Sequence, residues 1–156
     1  MTTPGAASLG PCMRMETCRP YIAIIENDDA FGEALDRLLR ASGFDTVLFP
    51  SAEQFLERAH PGKLDCIVLD VHLPGASGFE LLSQLKRDFL NLPVLLMTAD
   101  DSTATRKRAA ATECLGFLVK PFDASLLLGA LQRCVSNPGS AALNNPGNPS
   151  TLSLFP

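Results

Sequence analysis

Two rhythms of apolar and polar positions alternate along residues 21–135. Short apolar runs occupy residues 21–26, 46–49, 64–70, 93–98 and 115–120, each bounded by turn-forming residues. Runs of that length and boundary predict strands buried on both faces. Between them the apolar positions recur with helical spacing. Phe31, Ala34, Leu35, Leu38 and Leu39 mark a first helix, which Gly43 ends where a left-handed cap is wanted. Ser51, with Gln54 placed to complete a capping box, starts a second helix carrying Phe55, Leu56 and Ala59. Ser77 and Glu80 form the same box before Leu81, Leu82, Leu85 and Phe89. An Ala-rich fourth helix over about residues 103–112 has a thin apolar face. A fifth runs from about Asp123 through Leu126, Leu127, Ala130, Leu131 and Cys134.

Five strand–helix units of this size require crossovers, and crossovers of one hand give a parallel sheet with helices on both faces. The expected fold is therefore α/β: a flavodoxin-like (βα)5 doubly wound parallel sheet of strand order 2-1-3-4-5. Residues 21–135 form this domain. Residues 1–20 mix Thr, Gly, Ala, Ser and Pro without periodicity and are expected to be disordered, with Met13 or Met15 as alternative starts. The turn-rich stretch 136–156 is read the same way, with no output domain after it.

Composition narrows the class further. A chain of 156 residues with 46% hydrophobic and 19% charged positions has the makeup of one soluble globular domain. No apolar stretch approaches a membrane span, and the first residues lack the apolar centre of a secretory signal. The net charge of −4 argues against a dedicated nucleic-acid surface. Cys12, Cys18, Cys66, Cys114 and Cys134 fit neither a zinc site nor a disulfide framework. Cys66 and Cys134 fall at apolar positions, so reduced core thiols in a cytoplasmic protein are expected.

The chemistry gathers at strand ends. Asp70 closes the third strand, Thr98 the fourth and Lys120 the fifth. Open α/β sheets place their reactions at the carboxyl ends of strands, where a carboxylate also escapes the cost of lying inside the sheet. A carboxylate, a hydroxyl and an ammonium there can surround one phosphoryl group. The carboxylate attacks and holds it as an acyl phosphate. The remaining work is positioning and neutralising charge. Oxygen ligands at such a site suit magnesium. Taken singly, Asp70 reads equally well as a turn cap, Lys120 as a solvated strand end and Thr98 as a β-branched strand residue. Their coincidence at one sheet edge is what favours a site.

The segment from Tyr21 to about Val135 resembles the receiver domain of two-component response regulators. The resemblance lies in Ile24-Ile25-Glu26-Asn27-Asp28-Asp29, in Leu69-Asp70-Val71-His72-Leu73-Pro74-Gly75-Ala76-Ser77-Gly78, in Met97-Thr98-Ala99 and in Phe117-Leu118-Val119-Lys120-Pro121-Phe122. The spacings of 28 residues from Asp70 to Thr98 and 22 from Thr98 to Lys120 also fit. It implies a signalling domain, not an enzyme, with Asp70 as the phosphoacceptor served by a histidine kinase or histidine phosphotransfer protein. Thr98 and Lys120 would hold the phosphate, and Phe117 would be the switch aromatic that follows Thr98. Mg2+ would be held by Glu26, Asn27, Asp70 and the backbone carbonyl of His72. Ala99 would keep the approach to Asp70 open. The output would be contact with a downstream protein, with a homodimer through the fourth helix and fifth strand as a further expectation.

One position departs from the family. Its first strand usually ends in two acids, and here they are Glu26 and Asn27. At about 4 Å and an effective dielectric near 20, two unit charges interact by roughly 4 kcal/mol, an upper guide to the weakening of the metal. Asp28 is better placed to cap the first helix than to replace the missing ligand. Asn27 therefore supports an alternative, a pseudo-receiver that switches without phosphate. His72 and Asp100 occupy the family's lifetime-tuning positions; each also reads as a plain loop residue. His60 is expected at the surface and Arg106-Lys107-Arg108 on a solvated face. Leu128, turned away from the apolar stripe, would join Phe117 and the fourth helix in a docking surface. A phosphatase would want an acid where His72 stands. A flavin site would want a phosphate-binding loop after the first strand.

Overall fold

The computed structural model describes residues 19–89 and 91–136. The expectations for residues 1–18 and 137–156, disorder and alternative starts included, lie outside the described residues. Strands β1 (Tyr21–Ile25), β2 (Asp45–Phe49), β3 (Cys66–Asp70), β4 (Val94–Thr98) and β5 (Gly116–Val119) alternate with helices α1 (Asp29–Ala41), α2 (Ala52–Arg58), α3 (Gly78–Asp88), α4 (Thr103–Ala110) and α5 (Ala124–Ser136). A single 3-10 turn, Pro61–Lys63, precedes β3. All pairings are parallel and the strand order is β2-β1-β3-β4-β5. This is the doubly wound flavodoxin-like fold expected from the sequence.

Strand alternation sorts the core into two layers. Ala23, Ile25, Ile67, Leu69, Val94, Leu96 and Phe117 face one side, where α2, α3 and α4 cover them with Phe55, Phe79, Leu82, Leu85 and Ala109. Ile22, Ile24, Cys66, Val68, Leu95, Met97 and Leu118 face the other, under Leu35, Leu39, Leu127, Ala130 and Leu131 of α1 and α5. Strands β3 and β4 are buried at every position. That explains why they read as continuous apolar runs rather than as alternating ones.

Local signals set the helix boundaries. Asp28 accepts from Phe31 N and caps α1, and Gly43 takes a φ of 101° just after it. Ser77 and Glu80 complete the full reciprocal box at α3. At Ser51 only one half forms, the bond from Gln54 N, and the Gln54 side chain instead lines a cavity of about 490 Å³ beside β2. Three apolar positions depart from the expected stripes. Leu56 and Phe89 are 44% and 38% exposed, because α2 is a short helix and Phe89 already stands at the C-cap of α3. Ala34 is exposed on α1. Among the described residues, no helix is long and apolar enough to cross a membrane.

Candidate phosphoacceptor site

Asp70 ends β3 beside β1 and β4, at the point where the strand order reverses. Its residue is only 5% exposed. A buried carboxylate needs partners. Its Oδ1 accepts from His72 N at 3.0 Å, and its Oδ2 lies 3.3 Å from Lys120 Nζ. The turn after it is fixed from behind by Gly78, whose N–H donates to Val71 O at 2.9 Å. A Cβ on Gly78 would stand 2.4 Å from Asp70 O, so only glycine lets α3 start this close to the end of β3.

Glu26 follows β1 and is 2% exposed. Its Oε1 lies 2.5 Å from Lys120 Nζ, and its Oε2 accepts from Asp28 N at 3.0 Å. Burial raises its pKa above the ordinary carboxylate value, against the opposing pull of Lys120 and the Asp28 N–H. Lys120 therefore bridges two carboxylates contributed by neighbouring strands. Its ammonium also sits 4.3 Å from the centre of the Phe31 ring, which meets Phe122 edge-on at 6.1 Å. Phe31 at the mouth was not singled out from sequence, where it counted only as a core position. Its spacing from Lys120 carries no signal because α1 supplies one residue and the position after β5 the other.

Thr98 ends β4, fully buried. Its Oγ1 accepts from Asp100 N at 2.9 Å, which leaves the hydroxyl proton to donate elsewhere. Its side chain leaves the sheet on the opposite face to Asp70, since Leu96 and Phe117 share its layer and Met97 does not. Phe117 is fully buried in that layer. The expected docking surface is thus corrected in two places: Phe117 lies inside the core, and Leu128 is half-buried against the α1–α5 layer rather than turned away.

Two loops meet over Asp70. His72 is exposed, with Nε2 3.5 Å from Asp100 Oδ2. Asp100 accepts from Thr105 Oγ1 at 2.7 Å and from Ser102 N at 2.9 Å, and these bonds, Thr105 first, hold its pKa below the ordinary value. It is tied into the start of α4 rather than free in a solvated loop. Ala99 is exposed beside it. Glu53 of α2, which sequence reasoning passed over, accepts from Ala76 N at 2.9 Å and straps the loop after β3 to its neighbour. His60 is exposed as expected. Of the basic run on α4, Arg106 pairs with Asp101 and Arg108 lies 4.5 Å over the Phe79 ring.

The hard oxygen donors this edge brings together are the Glu26 and Asp70 carboxylates, both on Lys120, with Asn27 exposed one position beyond Glu26. Among the described residues, no three His, Cys, Asp or Glu side chains gather as a metal group. Two carboxylates fit the preference of magnesium for few protein ligands and several waters. Asp28 instead caps α1, its Oδ1 accepting from Phe31 N.

A doubly wound sheet with a buried acid at its switch point, bridged by lysine to a second acid, defines an α/β domain with its chemistry at the carboxyl edge of the sheet. A family model of the response regulator receiver domain matches residues 22–132, and the chain belongs to that family. It is 33% identical over 127 residues to the transcriptional regulatory protein FixJ of Bradyrhizobium diazoefficiens, covering 81% of this chain and 62% of that protein. FixJ of Azorhizobium caulinodans is 35% identical, over 71% of this chain and 53% of its own length. The chain thus spans about half to two thirds of the length of these relatives. Among solved structures, the non-phosphorylated HemR receiver domain from Leptospira biflexa superposes with a TM-score of 0.69 at 28% identity, covering 76% of this chain and 95% of that one.

Proposed function

We propose that this receiver domain accepts a phosphoryl group on Asp70 from a histidine kinase or histidine phosphotransfer protein and signals by contact with a downstream protein. The observation that carries the reading is the buried Asp70 carboxylate, with Lys120 Nζ 3.3 Å from its Oδ2 at the carboxyl edge of the sheet. Membership of the receiver family and kinship with regulators such as FixJ support it.

In the proposed transfer, an Asp70 carboxylate oxygen forms the new bond to phosphorus while the bond to the donor imidazole nitrogen breaks. Lys120 leaves its bridge between Glu26 and Asp70 and pairs with a phosphoryl oxygen as a point charge. Thr98 gives its hydroxyl proton to another. Moving toward the phosphate draws Thr98 away from the layer it shares with Phe117, which is how occupancy of Asp70 would reach the β5 face. Mg2+, held by Glu26, Asp70, the Asn27 amide and the His72 carbonyl, would supply positive charge to the transferring group when bound.

The test is intact mass after incubation with phosphoramidate, with and without magnesium, beside Asp70→Asn. One added phosphoryl group that needs magnesium and is lost in the variant is expected. A folded protein that gains no adduct at high magnesium would instead support a module that switches without phosphate, the reading favoured by a neutral and exposed Asn27.

A further inference from the structure

Cys66 opens β3 and Cys134 lies in the last turn of α5, 68 positions further along the chain. Both side chains pack in the layer between the sheet and the α1–α5 pair. There the two thiols lie close enough for each to shift the other's ionisation. Cys134 Sγ is also 3.8 Å from the carbonyl oxygen of Asp65, the residue bonded to Cys66, and Cys66 Sγ is 3.6 Å from Ile67 O. Cys114 is different. Equally buried, it has its Sγ 3.9 Å from Ala109 O in the opposite layer, and simple burial pushes its thiol up to about 11.

We propose that Cys66 and Cys134 form a dithiol site that a small-molecule disulfide converts to an intramolecular disulfide, tying the end of α5 to the start of β3. Metal binding is the other use of paired cysteines. It wants further ligands, and among the described residues none gather here.

The two thiols are unequal, which sets the order of events. Cys66 beside it holds the Cys134 thiol below its ordinary value, while Cys134 together with burial pushes Cys66 up. Cys134 is also two residues from the end of α5, and terminal turns open at lowest cost. Cys134 therefore ionises and attacks a sulfur of the small disulfide, forming a mixed disulfide and releasing one thiolate, which takes up the proton Cys134 lost. Cys66 then gives up its proton and attacks the Cys134 sulfur. The second small thiolate leaves with that proton. Two protein thiols are oxidised to one disulfide, and one small disulfide is reduced to two thiols. Asp70 closes the opposite end of β3, so the tether does not touch it, and the proposal stands independently of the phosphoacceptor reading.

The experiment treats the full chain with glutathione disulfide, then maps linkages by non-reducing digestion and counts thiols by alkylation and intact mass. A Cys66–Cys134 peptide, a loss of two alkylatable thiols and reversal by dithiothreitol are expected. Cys66→Ala should trap a glutathione adduct on Cys134, and Cys134→Ala should leave Cys66 unmodified. Cys114→Ala, and a double replacement of Cys12 and Cys18, should change nothing. Because closing a long loop constrains the unfolded chain, the oxidised protein should melt at least about 5 °C higher. Any of three results overturns the proposal: both thiols stay free in protein shown folded by circular dichroism, the linkages run to Cys12 or Cys18, or the oxidised protein melts lower than the reduced one.

Discussion

Lys120 and Glu26, 94 positions apart in sequence, form a buried ion pair at 2.5 Å, with the Glu26 side chain 1% and the Lys120 side chain 17% exposed. Removing one member of such a pair leaves the other charge without compensation. Lys120→Gln should therefore lower stability in urea by about 3 kcal/mol, with the repulsion between Glu26 and Asp70 adding to the loss. The double variant Glu26→Gln/Lys120→Gln should recover part of it. A single variant as stable as the parent would show that the pair opens to solvent.

Gly78 sets how close α3 comes to Asp70. An alanine Cβ would lie 2.4 Å from Asp70 O and 2.7 Å from Val71 Cα, both backbone atoms that cannot rotate away. Gly78→Ala should cost about 1–3 kcal/mol by overpacking, despite alanine's better helix propensity. It should also slow adduct formation on Asp70, read by mass in the phosphoramidate reaction. A variant with the stability and phosphorylation rate of the parent would refute this account of the turn.

Glu53 accepts from Ala76 N, and that bond, as the largest cause, lowers its pKa below the ordinary 4.5. A carboxylate with a depressed folded pKa contributes stability that is present above its unfolded value and is lost as pH falls through the folded value. The strap on the loop after β3 should therefore hold at neutral pH and release only below about pH 4.5. Urea melts of the parent and Glu53→Gln across pH 3–6 check this: the steep acid limb should flatten in the variant. Protection of Ala76 N from hydrogen exchange, taken relative to the intrinsic rate at each pH, should fall as the pH is lowered in the parent.

The sheet was legible in the sequence because β3 and β4 are buried on both faces and so carry unbroken apolar runs, each closed by a polar residue, Asp70 and Thr98. The helix ends were legible where one side chain does the capping, as at Asp28 and Ser77. What stayed hidden depends on contact between distant elements. Nothing in the spacing shows Lys120 spanning Glu26 and Asp70, Phe31 lying against its ammonium, or Glu53 reaching Ala76. Helical periodicity also overcounts. It gave Leu56 and Phe89 to the core, although α2 has only seven residues and α3 stops at Asp88. The thiol pair was invisible for the same reason: each cysteine alone is a small apolar side chain at an apolar position.

Asn27 bears most directly on how much magnesium the proposed site needs. It is exposed next to buried Glu26, so an added carboxylate there has room and solvent access. A third negative charge about 4 Å from the ion would contribute up to roughly 4 kcal/mol at an effective dielectric near 20, and exposure reduces that substantially. About 1.4 kcal/mol of it surviving corresponds to tenfold tighter binding. Asn27→Asp should thus reach half-maximal phosphorylation at roughly tenfold less magnesium than the parent, with the maximal adduct unchanged. The fold should be slightly less stable without metal, because the new charge follows directly on Glu26, whose partner among the described residues, Lys120, is already shared with Asp70. A magnesium titration of phosphoramidate labelling, paired with urea melts in chelator, reads both effects. If the midpoint does not move, Asn27 lies outside the metal's ligand shell, and Glu26 and Asp70 supply its side-chain oxygens alone.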